Sequence, residues 1–339
     1  MRDRKKTILN SIIFLILIFI TYYIIFREQD LNELYLDIIK LNPIYLVIAA
    51  LLMVLYFSIE AFNVKGILYA FKEKISFKKM LGYTLVGFFF SSITPGATGG
   101  QPMEIYYLTK EKIKASHSTM AILMHLCGAQ ISAVSLGIVG LILKPHILDN
   151  GLIYFFIVGS LFNTVPVAIT IIGVFFPKLA LKLVNLIIKI MKYFKTKNID
   201  NITKKIKTEL DIYEESAGII KKDKKVLLKA ILIAFIQITV WYIIPFVIYK
   251  AFGLSGKTVI DFIIIQAILH STVCSMPLPG SVGVTETVFL LIYGLAYPKT
   301  LLQSALVINR FISFYLFVVV SLIVYIIVKI KLDKKNKEA

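Results

Sequence analysis

The sequence predicts an all-α polytopic membrane protein with about six full transmembrane helices and two oppositely oriented re-entrant hairpins. Three observations lead there. Hydrophobic residues make up 58% of the 339 positions, and the mean hydropathy is +0.81. Several apolar runs reach the roughly 20 residues that span hydrocarbon. Two polar segments broken by proline and glycine interrupt the apolar pattern, one in each half. Such backbone is tolerated at membrane depth only inside protein or against a wet cavity, and paired breaks in two halves point to a transport site. Residues 1–339 then form one membrane domain, with no soluble domain of size beside it.

The first run, 7–26, follows a basic head at residues 2–6. It is longer than a signal-peptide core and lacks a small-residue cleavage site, which predicts a retained first span. Further spans are predicted at 43–64, 116–143, 151–176, 226–250 and 301–328 from continuous apolar length. The linkers sort by charge. The loop 27–42 carries Glu28, Asp30, Glu33 and Asp37 and suits the outside. The stretch 65–79 holds five lysines and suits the cytoplasm. Residues 144–150 are short and weakly charged. Residues 177–225 carry thirteen lysines against six acids and are cytoplasmic by the positive-inside rule.

Six spans with both termini inside satisfy these loops and leave 78–112 and 258–297 as the hairpins. The first must then enter from the cytoplasm and the second from outside. This divides the chain into a first half, 1–176, and a second half, 226–339, related as inverted repeats. Between them, 177–225 places Leu183, Ile187, Ile190 and Phe194, then Ile199, Ile202, Ile206, Leu210, Tyr213, Ala217 and Ile220, at helical spacing. The pattern fits amphipathic helices on the inner leaflet or a solvated connector.

A net charge of +18 would suit nucleic acid, but the lysines lie at span ends and in this one stretch. Topology and contact with anionic lipid account for them without a nucleic-acid partner. Cys127 and Cys274 make neither a disulfide framework nor a metal-ligand spacing and read as small buried hydrophobes. There is no His-Glu-x-x-His, no Gly-x-Ser-x-Gly and no Walker lysine after either glycine segment. No catalytic residue, cofactor or metal is expected.

Candidate binding residues cluster at the breaks. Arg310 sits deep in the last span beside Asn309. Unpaired, it would cost about 2.5–3.5 kcal/mol on insertion scales. Glu104 and Glu286 are its expected partners. Both are placed in the first helical turn after a break, where an acid caps the helix and the N-terminus favours anions. Ser91, Ser92, Thr94, Thr98, Gln101, Ser281 and Thr285 are expected to satisfy freed backbone or touch a polar head group. Pro95, Gly96, Gly99, Gly100, Pro279, Gly280 and Gly283 supply the irregular backbone. Glu60 reads as interfacial, with Lys65 close by. His125, Asn163, Gln237 and Gln266 read as interhelical glue, and His270 as a titrating candidate. Trp241 and Tyr242 read as interface anchors.

The motifs Thr94-Pro95-Gly96-Ala97-Thr98-Gly99-Gly100-Gln101-Pro102-Met103-Glu104 and Pro277-Leu278-Pro279-Gly280-Ser281-Val282-Gly283-Val284-Thr285-Glu286, followed by Arg310, resemble a known group. These are the flippase-like membrane proteins related to the transmembrane region of lysylphosphatidylglycerol synthase, the multiple peptide resistance factor. The resemblance covers nearly the whole length. It implies movement of an aminoacyl-phosphatidylglycerol, such as lysyl-phosphatidylglycerol, across a bacterial inner membrane, with resistance to cationic peptides as the outcome. In the full-length synthases a cytoplasmic domain performs lysyl transfer. The chain ends at Ala339 without room for it, so transport is expected rather than catalysis.

The expected partners are anionic or aminoacylated membrane lipids, and a separate lipid synthase or further copies of the chain. Two rival readings carry different chemistry. One is a phosphatidylglycerol lysyltransferase or its accessory membrane subunit. The other is a small-solute secondary transporter with the same hairpin architecture.

Overall fold

A computed structural model describes residues 31–148, 151–176, 220–274 and 278–338, with isolated positions between 177 and 219. Helices are numbered over these residues. They are α1 (Leu31–Ile39), α2 (Pro43–Ala70), α3 (Phe77–Ser92), α4 (Gly100–Lys110), α5 (Ala115–Leu143) and α6 (Leu152–Phe175). They continue as α7 (Lys224–Ala251), α8 (Val259–Val273), α9 (Val284–Tyr293), α10 (Leu302–Arg310) and α11 (Leu316–Glu338). Every element is helical, and the chain is an all-α multi-pass membrane protein.

Five stretches among the described residues are long and apolar enough to cross a membrane: Pro43–Ala70, Ala115–Leu143, Leu152–Gly173, Lys224–Ala251 and Leu302–Lys334. Each falls on a span read from apolar length, and the ends differ by a few residues. The span read as 43–64 runs on to Ala70, because Asn63, Val64, Ile67 and Leu68 are buried against neighbours rather than at a water interface. Its start is fixed locally. Asn42 accepts the Ile44 N–H at 3.0 Å and Pro43 occupies the first turn, where it sacrifices no helical hydrogen bond. The expected span at 7–26 and most of the amphipathic pattern in 177–225 lie outside the described residues. Ala217 and Ile220, at the end of that pattern, are buried in the core with Ala230 and do not face lipid.

Both broken segments form a helix, a 3-10 turn and a second helix. In the first, α3 and α4 flank Pro95–Ala97; in the second, α8 and α9 flank Pro279–Ser281. None of the four flanking helices is longer than 16 residues, about 24 Å, so none crosses a bilayer alone. The open end of the first pair is tied by Lys79 and Tyr83, which both donate to Glu111 at 2.7 Å. The open end of the second lies where Lys144 meets Asp261. Connectivity puts these at opposite ends of the bundle. Helix α5 runs from beside the first, where His117 stacks on Phe71, to Lys144 at the second. The two 3-10 turns meet in the middle. There Phe88, near the tip of α3, packs edge-on against Phe57, the midpoint of α2, at 5.0 Å between ring centroids.

Each pair has its own apolar core. Met80, Val86, Tyr107, Leu108 and Met120 pack beneath the first, and Phe262, Ile268, Ile292 and Tyr293 beneath the second. The last span departs from a simple helix. Directly after Arg310 it widens into a π-helical turn, Phe311–Tyr315, before α11 resumes. Such bulges shift the register by one residue and recur at functional sites.

Candidate functional site

The two turns share one backbone recipe. Gly96 and Ala97 have φ of 59° and 55°, and Gly280 and Ser281 have φ of 58° and 50°. The left-handed pair after proline reverses the chain in three residues, and glycine at its first position removes most of the strain. In the first turn the freed backbone is served internally. Thr94 Oγ1 donates to Phe90 O at 2.6 Å and accepts the Gly99 N–H at 2.9 Å, and Thr98 Oγ1 donates to Pro95 O at 3.0 Å. Thr94 is thus a brace of the turn. In the second, Thr285 Oγ1 donates to Ser281 O at 2.9 Å. Pro279 is buried at its start, and Pro277 lies outside the described residues.

Glycine also sets the spacing of α3 and α4. A Cβ on Gly100 would fall 2.0 Å from Ser91 Oγ and 2.8 Å from Gly87 O, and one on Gly87 would fall 2.2 Å from Glu104 Oε1. The Glu104 side chain therefore occupies the notch that Gly87 leaves.

Arg310 and Glu286 form the ion pair anticipated for the last span. Arg310 Nε donates to Glu286 Oε1 at 2.7 Å, and Nη2 reaches Gly280 O at 3.4 Å. The same Glu286 oxygen accepts from Tyr315 Oη at 3.1 Å, and Oε2 accepts the Gly283 N–H at 2.7 Å. The guanidinium stacks over Phe314, 4.4 Å from its centroid. Glu286 is 0% exposed, so its carboxylate is wholly used within the protein. It caps α9 and holds Arg310.

The second expected partner of Arg310 lies elsewhere. Helix α4 begins at Gly100, so Glu104 is past the first turn, and its carboxyl lies against Gly87 of α3. It lines a chamber of about 230 Å³ with Glu60, His125, Gln130, Gln237 and Trp241. Glu60, read as interfacial, accepts Gln237 Nε2 at 3.0 Å, with His125 Nε2 3.8 Å away. The helix runs six residues past the assumed span end, which brings Glu60 into the bundle. Trp241 and Tyr242 are not interface anchors either. Trp241 packs edge-on to His270 at 4.9 Å, and fully buried Tyr242 is hydrogen-bonded to His270 Nδ1 at 2.8 Å. The glue assignments hold for Gln237, for His125, hydrogen-bonded to Asn63 of α2 at 3.1 Å, for Asn163, which accepts from Cys274 Sγ at 2.8 Å, and for Gln266, which accepts from Tyr293 Oη at 2.5 Å.

A larger chamber of about 490 Å³ adjoins the first and shares Gln101, Gln130, Trp241 and His270 with it. It lies between the two turns. Gly96 and Thr98 line it from one side, Gly280, Ser281 and Thr285 from the other, and Asn309 and Arg310 from α10. Asn309 Nδ2 and Asn163 Nδ2 are buried donors without a partner among the described residues. Phe162, also in its wall, is 57% exposed on the outer surface of the bundle. The chamber therefore reaches the lipid-facing flank of α6. Chemically it offers a cation, a hydroxyl-lined turn and amide donors to an anionic group, with an apolar exit beside it.

The chain is thus an all-helical multi-pass membrane protein whose two broken helix pairs meet at their turns beside a polar chamber. The chain belongs to the family described as the lysylphosphatidylglycerol synthase transmembrane region, which matches residues 8–321. It is similar to a UPF0104 membrane protein of Methanocaldococcus jannaschii, 26% identical over 98% of this chain and 97% of that protein. It is also similar to a UPF0104 membrane protein of Methanothermobacter thermautotrophicus, 22% identical over 82% of this chain and 83% of that one.

Proposed function

We propose that the protein translocates a polar lipid between leaflets, with the two broken pairs acting as opposed re-entrant hairpins of an inverted repeat. The observation that carries this is the larger chamber. Arg310, Asn309, Ser281 and Thr285 meet at its polar end, and its wall reaches the outer surface at Phe162. A lipid has both needs at once: a charged head group to shelter and acyl chains that stay in hydrocarbon. A volume of about 490 Å³ suits a head group rather than a whole lipid.

In this reading the lipid phosphate lies against the Arg310 guanidinium, which Glu286 and Gly280 O hold in place. Alternating access comes from rocking one hairpin bundle against the other. Both termini and the lysine-rich 177–225 stretch face the cytoplasm. The family description points to lysyl-phosphatidylglycerol as the first lipid to try, with phosphatidylglycerol beside it.

The test is translocation of head-group- or chain-labelled phosphatidylglycerol and its lysyl ester in liposomes holding the full chain. Labelled lipid should cross faster than in empty liposomes, and Arg310→Ala should abolish the excess. Equal rates with and without protein would overturn the reading.

A further inference from the structure

The smaller chamber holds more negative charge than the bundle can neutralise. Glu104 is 6% exposed and, among the described residues, makes neither a hydrogen bond nor an ion pair. It faces Glu60 across the chamber, and the two carboxylates repel. No lysine or arginine lines the space among the described residues. Two histidines line it, His125 and His270, and the hydrogen bonds of His125 fix its tautomer as the neutral ring. Asn63 Nδ2 donates to Ala230 O at 2.9 Å, which fixes the amide orientation, and to His125 Nδ1 at 3.1 Å. That ring nitrogen accepts, so the hydrogen sits on Nε2, facing Glu60 Oε1. Tyr56 of α2 and His270 of α8 are the other titratable groups in the wall, and Trp241 of α7 and Thr84 of α3 complete it.

Two carboxylates cannot both stay ionised in such a site without a counter-charge. Gln237, 1% exposed, has an unpartnered side-chain oxygen, and so does Gln130. With both glutamates ionised, these oxygens and the carboxylates compete for the donors in the wall, the unpartnered Thr84 hydroxyl among them. A carboxyl O–H would add a donor and remove a charge at once. A metal ion fits less well, since no three metal-ligating side chains converge among the described residues.

We propose that Glu60 and Glu104 share a single proton and form the proton-binding site of a proton-coupled carrier. Water on one side supplies the proton to a carboxylate, giving a neutral carboxyl. The carboxyl releases it to water on the other side after the hairpins rock, restoring the carboxylate. Gln101, which lines both chambers, and His270, which does too, connect this site to the lipid chamber. The coupling rests on the translocation reading, but the shared proton does not.

Two measurements on the reconstituted full chain separate them. In pH-difference infrared spectroscopy, the wild type should show a protonated-carboxyl C=O band that titrates. Glu104→Gln and Glu60→Gln should each lose it. Glutamine keeps the shape and removes a charge, so both variants should elute and melt no worse than wild type. An absent band, a band that survives both substitutions, or a band abolished by sodium at fixed pH would overturn the proton site. With labelled phosphatidylglycerol, an imposed proton gradient should accelerate translocation by wild type and leave Glu104→Gln at its gradient-independent rate. Translocation indifferent to the gradient would overturn the coupling. No translocation under any condition, with the infrared band intact, would overturn the lipid reading alone.

Discussion

Arg310 and Glu286 are joined at 2.7 Å by an ion pair that is also a helix cap, because the second carboxylate oxygen of Glu286 accepts the Gly283 N–H. The pair therefore ties the last span to the second broken turn, at the wall of the larger chamber. Removing one partner strands the other charge in a buried site, which costs about 3–5 kcal/mol. Arg310→Ala and Glu286→Ala should each lower the midpoint of thermal unfolding in detergent sharply. The double variant Arg310→Met with Glu286→Gln should recover much of that stability and still fail to move lipid. Stability losses that simply add would show that the two side chains do not act as a unit.

Close helix packing gives a contrast between two glycines. A Cβ on Gly159 of α6 would fall 1.7 Å from the Ser271 carbonyl oxygen of α8, and backbone cannot swing aside as a side chain does. Gly159→Ala should therefore destabilise by at least about 1–3 kcal/mol, as overpacking does. Gly66 of α2 has nothing within 4 Å. Gly66→Ala should be neutral or stabilise by up to about 1 kcal/mol through helix propensity. Thermal midpoints of the two variants side by side check the prediction.

Five of the spans and both breaks were legible in the sequence because they rest on local signals: apolar run length, and Pro-Gly with glycines following. Arg310 with Glu286 was legible too, since a deep cation needs an anion and a glutamate just after a break is a natural cap. What failed depended on rotation and depth. Glu104 and Glu286 occupy similar places in their motifs, yet α4 starts four residues before Glu104 and α9 only two before Glu286. Those two extra residues turn Glu104 roughly 200° around its helix, and its side chain lines the smaller chamber with Glu60. Glu60 lies deeper than Lys65 suggests, because a single lysine does not mark a water interface when the residues up to Leu68 are buried. The π turn after Arg310 left no sequence signal, as its residues Phe311–Tyr315 suit an ordinary helix equally well.

Asp261 gives a pH signature at the open end of the second pair. The Lys144 hydrogen bond, followed by the Thr258 backbone N–H, lowers its carboxyl from the ordinary 3.8 to about 2. It also closes a capping box with Thr258 at the start of α8. A depressed carboxyl contributes stability above its unfolded value, and loses it as pH falls through the folded one. The unfolding midpoint of wild type should thus exceed that of Asp261→Asn by a constant margin above about pH 4. The margin should shrink towards about pH 2. A gap that does not narrow in acid would contradict this assignment.

The two cysteines give a direct probe of the larger chamber. Cys274 lines it and donates to Asn163 Oδ1 at 2.8 Å, whereas Cys127 is buried in the body of α5 at 2% exposure. A small maleimide should label Cys274 and spare Cys127 in the folded protein. The adduct would fill part of the space beside Asn309 and Arg310, so labelling should stop lipid translocation. The informative control is Cys274→Ser rather than Cys274→Ala. Serine keeps a donor for Asn163, while alanine leaves a buried acceptor unpaired at about 1–3 kcal/mol. Cys274→Ser should translocate lipid and resist the reagent. Short-chain phosphatidylglycerol present during labelling should slow modification of the wild type. Mass spectrometry of the labelled peptides reads the site, and equal labelling with and without lipid would place the head group somewhere other than this chamber.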